Sequence, residues 1–190
     1  TSIAIPALDV HLAPRLGLRA DVRRIPVTES GCAAGGLALG LAASFAAHGQ
    51  RVLVVAVELC SLTAGPGVRA RAELITSVIF GDGAAAAVIA PATHGPRIAA
   101  VGSRLVPNSS GTMGFDVGEH GLRIVLQREL PSILIEHLPG AIDRFLAEHG
   151  RSRQDIALHL VHPGGRRILD SYRELFALDE DALRASRGAL

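Results

Sequence analysis

The sequence predicts an α/β protein with a mixed sheet covered on both faces. Three observations carry this expectation. Helix-length and strand-length apolar segments alternate along the 190 residues. The strand-length runs RVLVVAVEL (51–59) and AAAAVIA (84–90) are continuously apolar over 52–57 and 84–90 rather than at every second position, as in strands buried on two faces. The segment CAAGGLALGLAASFAAHG (32–49) is small or apolar all round, as in a helix enclosed on every side.

The elements follow in chain order. The opening residues read as a loop and a helix around Leu8 to Leu16. ADVRRIPV (20–27) alternates like a strand ending at Val27. The apolar helix comes next, with Gly49 placed as a C-terminal cap. After the strand 51–59, SLTAGPGVRARA (61–72) reads as a loop, ELITSVIF (73–80) as a short helix and GDG (81–83) as a tight turn into the strand 84–90. PATHGP (91–96) marks a boundary near residue 94. The reading is thus two halves, 1–94 and 95–190.

In the second half, strands are expected near Arg97–Leu105 and Gly121–Leu126, and a long helix from about Pro131 to His149. IALHLVH (156–162) reads as a buried strand and RRILDSYRELFAL (166–178) as a helix. Asp179 is placed to cap a last helix, EDALRASRGAL (180–190).

Composition narrows the function. A net charge of +1, with every basic residue an arginine, leaves no footprint for nucleic acid or anionic lipid. Aromatic residues make up 3%, too few for base-stacking platforms. No apolar run approaches the ~20 residues that span a bilayer, and the opening residues do not read as a leader peptide. A cytoplasmic protein is expected. Its two cysteines then read as thiols rather than as a bridge.

Cys32 stands at the predicted start of the apolar helix. Unpaired backbone N–H groups and the positive dipole end there favour thiolate, the nucleophilic form. Ala33, Ala34, Gly35 and Gly36 leave room beside it. On this stretch alone, an inert thiol in a helix of small residues explains the pattern equally well. His162 ends a predicted strand and precedes Pro163, Gly164 and Gly165, which stop the strand and permit a sharp turn. A side chain there lies at the mouth of a sheet, where sites in covered sheets occur. Glu29, close to Cys32 in sequence, would oppose a thiolate. Asp82 reads as a turn former.

GCAAGG, VLVVAVELCSLT, IFGDGAAAAVI and HPGGRRILD occur in this order. Together they resemble the corresponding stretches of the type III polyketide synthases, the chalcone synthase-like enzymes, over essentially the whole chain. The stretch MGFDVGEHGLRIVLQRELP is more similar to bacterial members than to plant ones. The resemblance implies the thiolase fold, two similar α/β halves in layers, and a homodimer that uses no metal or organic cofactor. It implies acyltransferase chemistry: an acyl-CoA starter loads a cysteine, and malonyl-CoA then loses CO₂ to give an enolate that attacks the thioester. By position Cys32 is the nucleophile and His162 stabilises the thiolate and hydrogen-bonds the enolate. Phe80 matches the aromatic gatekeeper between the coenzyme A tunnel and the cavity. Thr63, Cys60, Thr76, Ile79 and Ile124 match cavity-lining sites, Cys60 more simply as a small buried side chain.

The family also uses an Asn in a GN motif, expected beyond Leu190, and basic residues that grip coenzyme A, expected before Thr1. The only Asn here, Asn108, matches no catalytic position. The chain is therefore expected to be an internal fragment. Two other readings stay open: a ketoacyl synthase III-type enzyme, against which HPGG in place of HQAN argues, and a non-catalytic fragment. A papain-like hydrolase fits poorly for want of an Asn partner.

Overall fold

The structure, a computed structural model, describes residues 5–63, 80–118 and 121–190. The described residues divide into two compact units. One contains 5–62 and 81–99; the other contains 63, 80, 100–118 and 121–190.

In the first unit, helix α1 (Leu8–Arg15) is tied to the following segment by Arg24. Its guanidinium donates to both Asp9 carboxylate oxygens, at 2.7 and 3.2 Å. This fork holds the Asp9 carboxyl below its ordinary range. A single 3₁₀ turn, Gly31–Ala33, feeds helix α2 (Ala34–Ala46). Strand β1 (Val52–Glu58) pairs antiparallel with β2 (Gly83–Ile89), from Val52 opposite Ile89 to Glu58 opposite Gly83. Helix α2 packs against this two-stranded sheet.

Three expectations for this unit are corrected. The segment 20–27 is not a strand; it has no ladder partner among the described residues. Helix α2 is not enclosed: of its residues only Gly40 and Ala42 are buried, while Leu37, Leu39 and Leu41 are exposed. Strands β1 and β2 are not covered on both faces either, and Val88 is 62% exposed. Apolar patterning reports which faces a segment is suited to bury. It does not count the layers that cover them, and among the described residues one helix and two strands supply one mutual interface.

In the second unit, β3 (Met113–Gly118) and β4 (Gly121–Leu126) form an antiparallel hairpin with Met113 opposite Leu126. Only its second strand was expected, because Gly114 and Asp116 break the apolar pattern of the first. The two ladders are separate and both antiparallel, so the mixed sheet expected from sequence does not form among the described residues. The segments 97–105 and 156–162 also lack ladder partners there.

Helix α3 (Leu130–Glu148) matches its sequence reading and carries Pro131 in its first turn, where a missing N–H costs nothing. The Phe145 ring lies against Gly102, where an added Cβ would meet Cδ2 at 2.7 Å. Helix α4 (Arg166–Leu175) follows the HPGG turn. The expected last helix is split into a 3₁₀ turn, Glu180–Leu183, and a short helix α5 (Arg184–Gly188). Asp179 occupies the capping position of that turn but makes no side-chain cap bond. Leu169 of α4 and Leu183, just before α5, are fully buried and form the centre of this unit with Leu146 of α3.

Candidate active site

Cys32 lies in the 3₁₀ turn, two residues earlier than the start of α2 proper, and its side chain is exposed. The approach to it is bent by two positive φ angles, +64° at Glu29 and +50° at Gly31. Glycine adopts that region freely; glutamate does so at a cost. The Ala33 N–H closes the turn on the Ser30 carbonyl at 3.1 Å. Beyond it, a Cβ added at Gly35 or Gly36 would meet nothing within 4 Å. The glycines therefore leave open space along the start of the helix.

The electrostatics at Cys32 differ from the expectation. Partial removal of water from the thiol, and then the Glu58 carboxylate, push it above its ordinary value. Its own backbone amide acts in the other direction but is the lesser cause. The opposing carboxylate is thus Glu58, at the end of β1, and not Glu29. Cys60 opens the 3₁₀ turn Cys60–Thr63 and is half-buried. Its thiol is pushed up as well, by loss of water first and then by Glu58 and Asp82.

Asp82 does more than form a turn. It accepts a hydrogen bond from the Ser61 amide at 2.8 Å and from the Ser61 hydroxyl at 2.6 Å. These bonds hold its carboxyl below the ordinary range. They join the residues leaving β1 to those entering β2, next to Cys60.

His162 belongs to the second unit and is exposed at the end of the segment 156–162. The turn after it is built by the glycines. The Gly164 N–H donates to the His162 carbonyl at 2.9 Å. Gly165 is buried with φ +139°, and its carbonyl accepts the first bonds of α4 from Ile168 and Leu169. A Cβ on Gly164 would touch the imidazole, 3.4 Å from Cδ2 and 3.7 Å from Nε2. Upstream, the Val161 N–H donates to the Ser186 hydroxyl at 2.9 Å. The sequence carried no signal for that partner.

Phe80 is half-buried directly before the GDG turn. Thr63 lies in the 3₁₀ turn after Cys60, and Ile124 lies on β4; both are placed by backbone, with side chains outside the described residues. Thr76, Ile79 and the helix expected at 73–80 lie outside the described residues, apart from Phe80 itself. Among the described residues no cluster of His, Cys, Asp and Glu side chains suits a metal ion, and no helix is long and apolar enough to cross a membrane.

Two family models account for nearly the whole chain. Chalcone and stilbene synthases, N-terminal domain, matches residues 1–93, and the C-terminal domain of the same enzymes matches residues 97–190. The chain belongs to the chalcone and stilbene synthase family. Several bacterial proteins are similar to it over essentially its whole length. The 1,3,6,8-tetrahydroxynaphthalene synthase of Streptomyces peucetius subsp. caesius is 36% identical over 194 residues, which cover 98% of this chain and 51% of that protein. The enzyme of that name from Streptomyces coelicolor is 35% identical, over 100% of this chain and 51% of its own length. A putative chalcone synthase of Bacillus subtilis is 31% identical, over 100% and 55%.

Solved structures agree. The S. coelicolor tetrahydroxynaphthalene synthase, a bacterial type III polyketide synthase, superposes with a TM-score of 0.91 at 34% identity, covering 100% of this chain and 55% of that one. PKS-I from the brown alga Ectocarpus siliculosus gives 0.88 at 28% identity, covering 99% and 52%. This family member therefore has the thiolase-like α/β fold of the type III enzymes. The chain spans about half the length of the curated relatives it matches.

Proposed function

We propose that the protein from which this chain comes is a type III polyketide synthase acting through a cysteine thioester on Cys32. The observation that carries the reading is the setting of Cys32: an exposed thiol on a bent turn that leads into a helix whose first glycines leave space beside it. Family membership supplies the chemistry to which that setting is suited.

In the proposed reaction the Cys32 thiolate attacks the carbonyl of an acyl-CoA starter, the carbon–sulfur bond to coenzyme A breaks, and coenzyme A leaves as its thiolate. Malonyl-CoA then loses CO₂. Its enolate attacks the acyl carbon, and the Cys32 thiolate is released as the new carbon–carbon bond forms. Repetition and ring closure give a pyrone, a resorcinol or a related product. Because lost hydration and Glu58 both hold the proton on Cys32, a cationic partner has a defined task. His162 is assigned that role and the hydrogen bond to the enolate oxygen. Excluding water protects thioester and enolate from hydrolysis and protonation.

Phe80 is assigned as the gate between the coenzyme A tunnel and the cavity, with Thr63, Cys60, Thr76, Ile79 and Ile124 lining that cavity. Residues 1–94 are assigned to the N-terminal half and 95–190 to the C-terminal half of the fold. The functional form is proposed to be a cytoplasmic homodimer that takes coenzyme A thioesters as substrates.

The test is acyl loading followed by peptide mass spectrometry. The protein is incubated with a panel of acyl-CoA thioesters. Label is expected on Cys32, lost in Cys32→Ala and retained in Cys60→Ala. Label on Cys60 alone would overturn the assignment.

A further inference from the structure

Resting on the reading of His162 as the imidazole partner of Cys32, we infer that Ser186 is a positioning residue for that imidazole. Ser186 is 5% exposed, one of two buried polar side chains among the described residues. A buried hydroxyl needs a partner, and this one accepts the Val161 N–H at 2.9 Å. Val161 immediately precedes His162 in a segment that has no ladder partner among the described residues. The Ser186 bond therefore supplies, at this amide, what a neighbouring strand would otherwise supply.

The other side of His162 closes on itself. Pro163 has no N–H to donate, and the Gly164 N–H folds back onto the His162 carbonyl at 2.9 Å. The backbone of His162 is thus held upstream from α5 and downstream by its own turn.

Ser186 is a firm anchor because α5 is fixed on both sides of it. Leu183 is fully buried. Arg187 donates through Nη2 to Asp170 of α4 at 2.6 Å. Leu183 stands at the entry to α5, and Ser186 and Arg187 lie within it. Together they tie α5 to the core, to the strand-like segment before His162 and to the helix after it.

The test uses Ser186→Ala and Ser186→Thr in the full chain, with ¹³C-labelled histidine. In Ser186→Ala the Val161 amide is expected to exchange about 2- to 10-fold faster, the range for one lost hydrogen bond. The His162 imidazole resonance should shift and broaden. His159 lies on the same segment with Nδ1 3.0 Å from the Tyr172 hydroxyl, and its resonance should hold still. Ser186→Thr keeps the hydroxyl and should restore both readouts. Unchanged Val161 exchange, an unmoved His162 resonance, or equal movement of His159 and His162 would each overturn the inference, the last by showing a merely structural role. The partnership with Cys32 is read separately, from the pH dependence of Cys32 alkylation in His162→Gln. A flat result there would remove that partnership and leave the anchoring of His162 by Ser186 intact.

Discussion

Ser61 and Asp82 are joined twice, amide and hydroxyl donating to the two oxygens of one carboxylate at 2.8 and 2.6 Å. The pair closes the end of the β1–β2 ladder where Glu58 faces Gly83. A carboxylate accepting two such bonds resists protonation, so its pKa is depressed from the ordinary 3.8. A depressed carboxyl contributes stability that is complete above its unfolded pKa and lost as pH falls through the folded one.

Asp82→Asn is therefore expected to speed exchange of the Ser61 amide relative to wild type at neutral pH. The difference should shrink as pH falls below 3.8. Hydrogen-exchange mass spectrometry of the two proteins at matched pH checks it; a gap independent of pH would show that the charge is irrelevant to this closure.

Glu58→Gln removes the negative charge that favours the protonated Cys32 thiol. The pH midpoint of Cys32 alkylation by iodoacetamide is expected to move down. Only part of the upward shift should be relieved, because loss of hydration is the larger cause. The Cys60 midpoint should move down too, since Glu58 also acts there. Glu29→Gln serves as the comparison and should have the smaller effect.

His162→Gln keeps a neutral hydrogen-bond donor and discards the imidazolium. In the proposed mechanism, Cys32 alkylation then needs a higher pH. Each unit of upward movement corresponds to about 1.4 kcal/mol of lost ion-pair stabilisation. An unmoved alkylation profile would take His162 out of the nucleophile-activating role.

Gly102→Ala and Gly165→Ala separate packing from backbone strain. At Gly102 the added methyl meets the Phe145 ring at 2.7 Å. Overpacking of this kind costs roughly 1–3 kcal/mol, and Phe145→Leu in the same chain should recover part of it. At Gly165 no atom lies within 4 Å of the added methyl, but φ is +139°. Thermal unfolding should therefore fall for Gly165→Ala with no rescue from shortening neighbours, because the strain is in the backbone itself.

Local pattern was enough to read α2, α3 and α4, the strands β1 and β2, and the turn chemistry around His162. Each depends on interactions between residues a few positions apart: helical and strand periodicity, the missing N–H of Pro163, the wide φ range of Gly165. The family, too, was legible, since its motifs are contiguous words. Tertiary structure decided everything that acts through space. It made Glu58 rather than Glu29 the charge that opposes the Cys32 thiolate, paired Asp82 with Ser61, and brought the Ser186 hydroxyl to Val161. Electrostatic and hydrogen-bond energies fall steeply with distance and angle, and a linear sequence holds neither until the chain is folded.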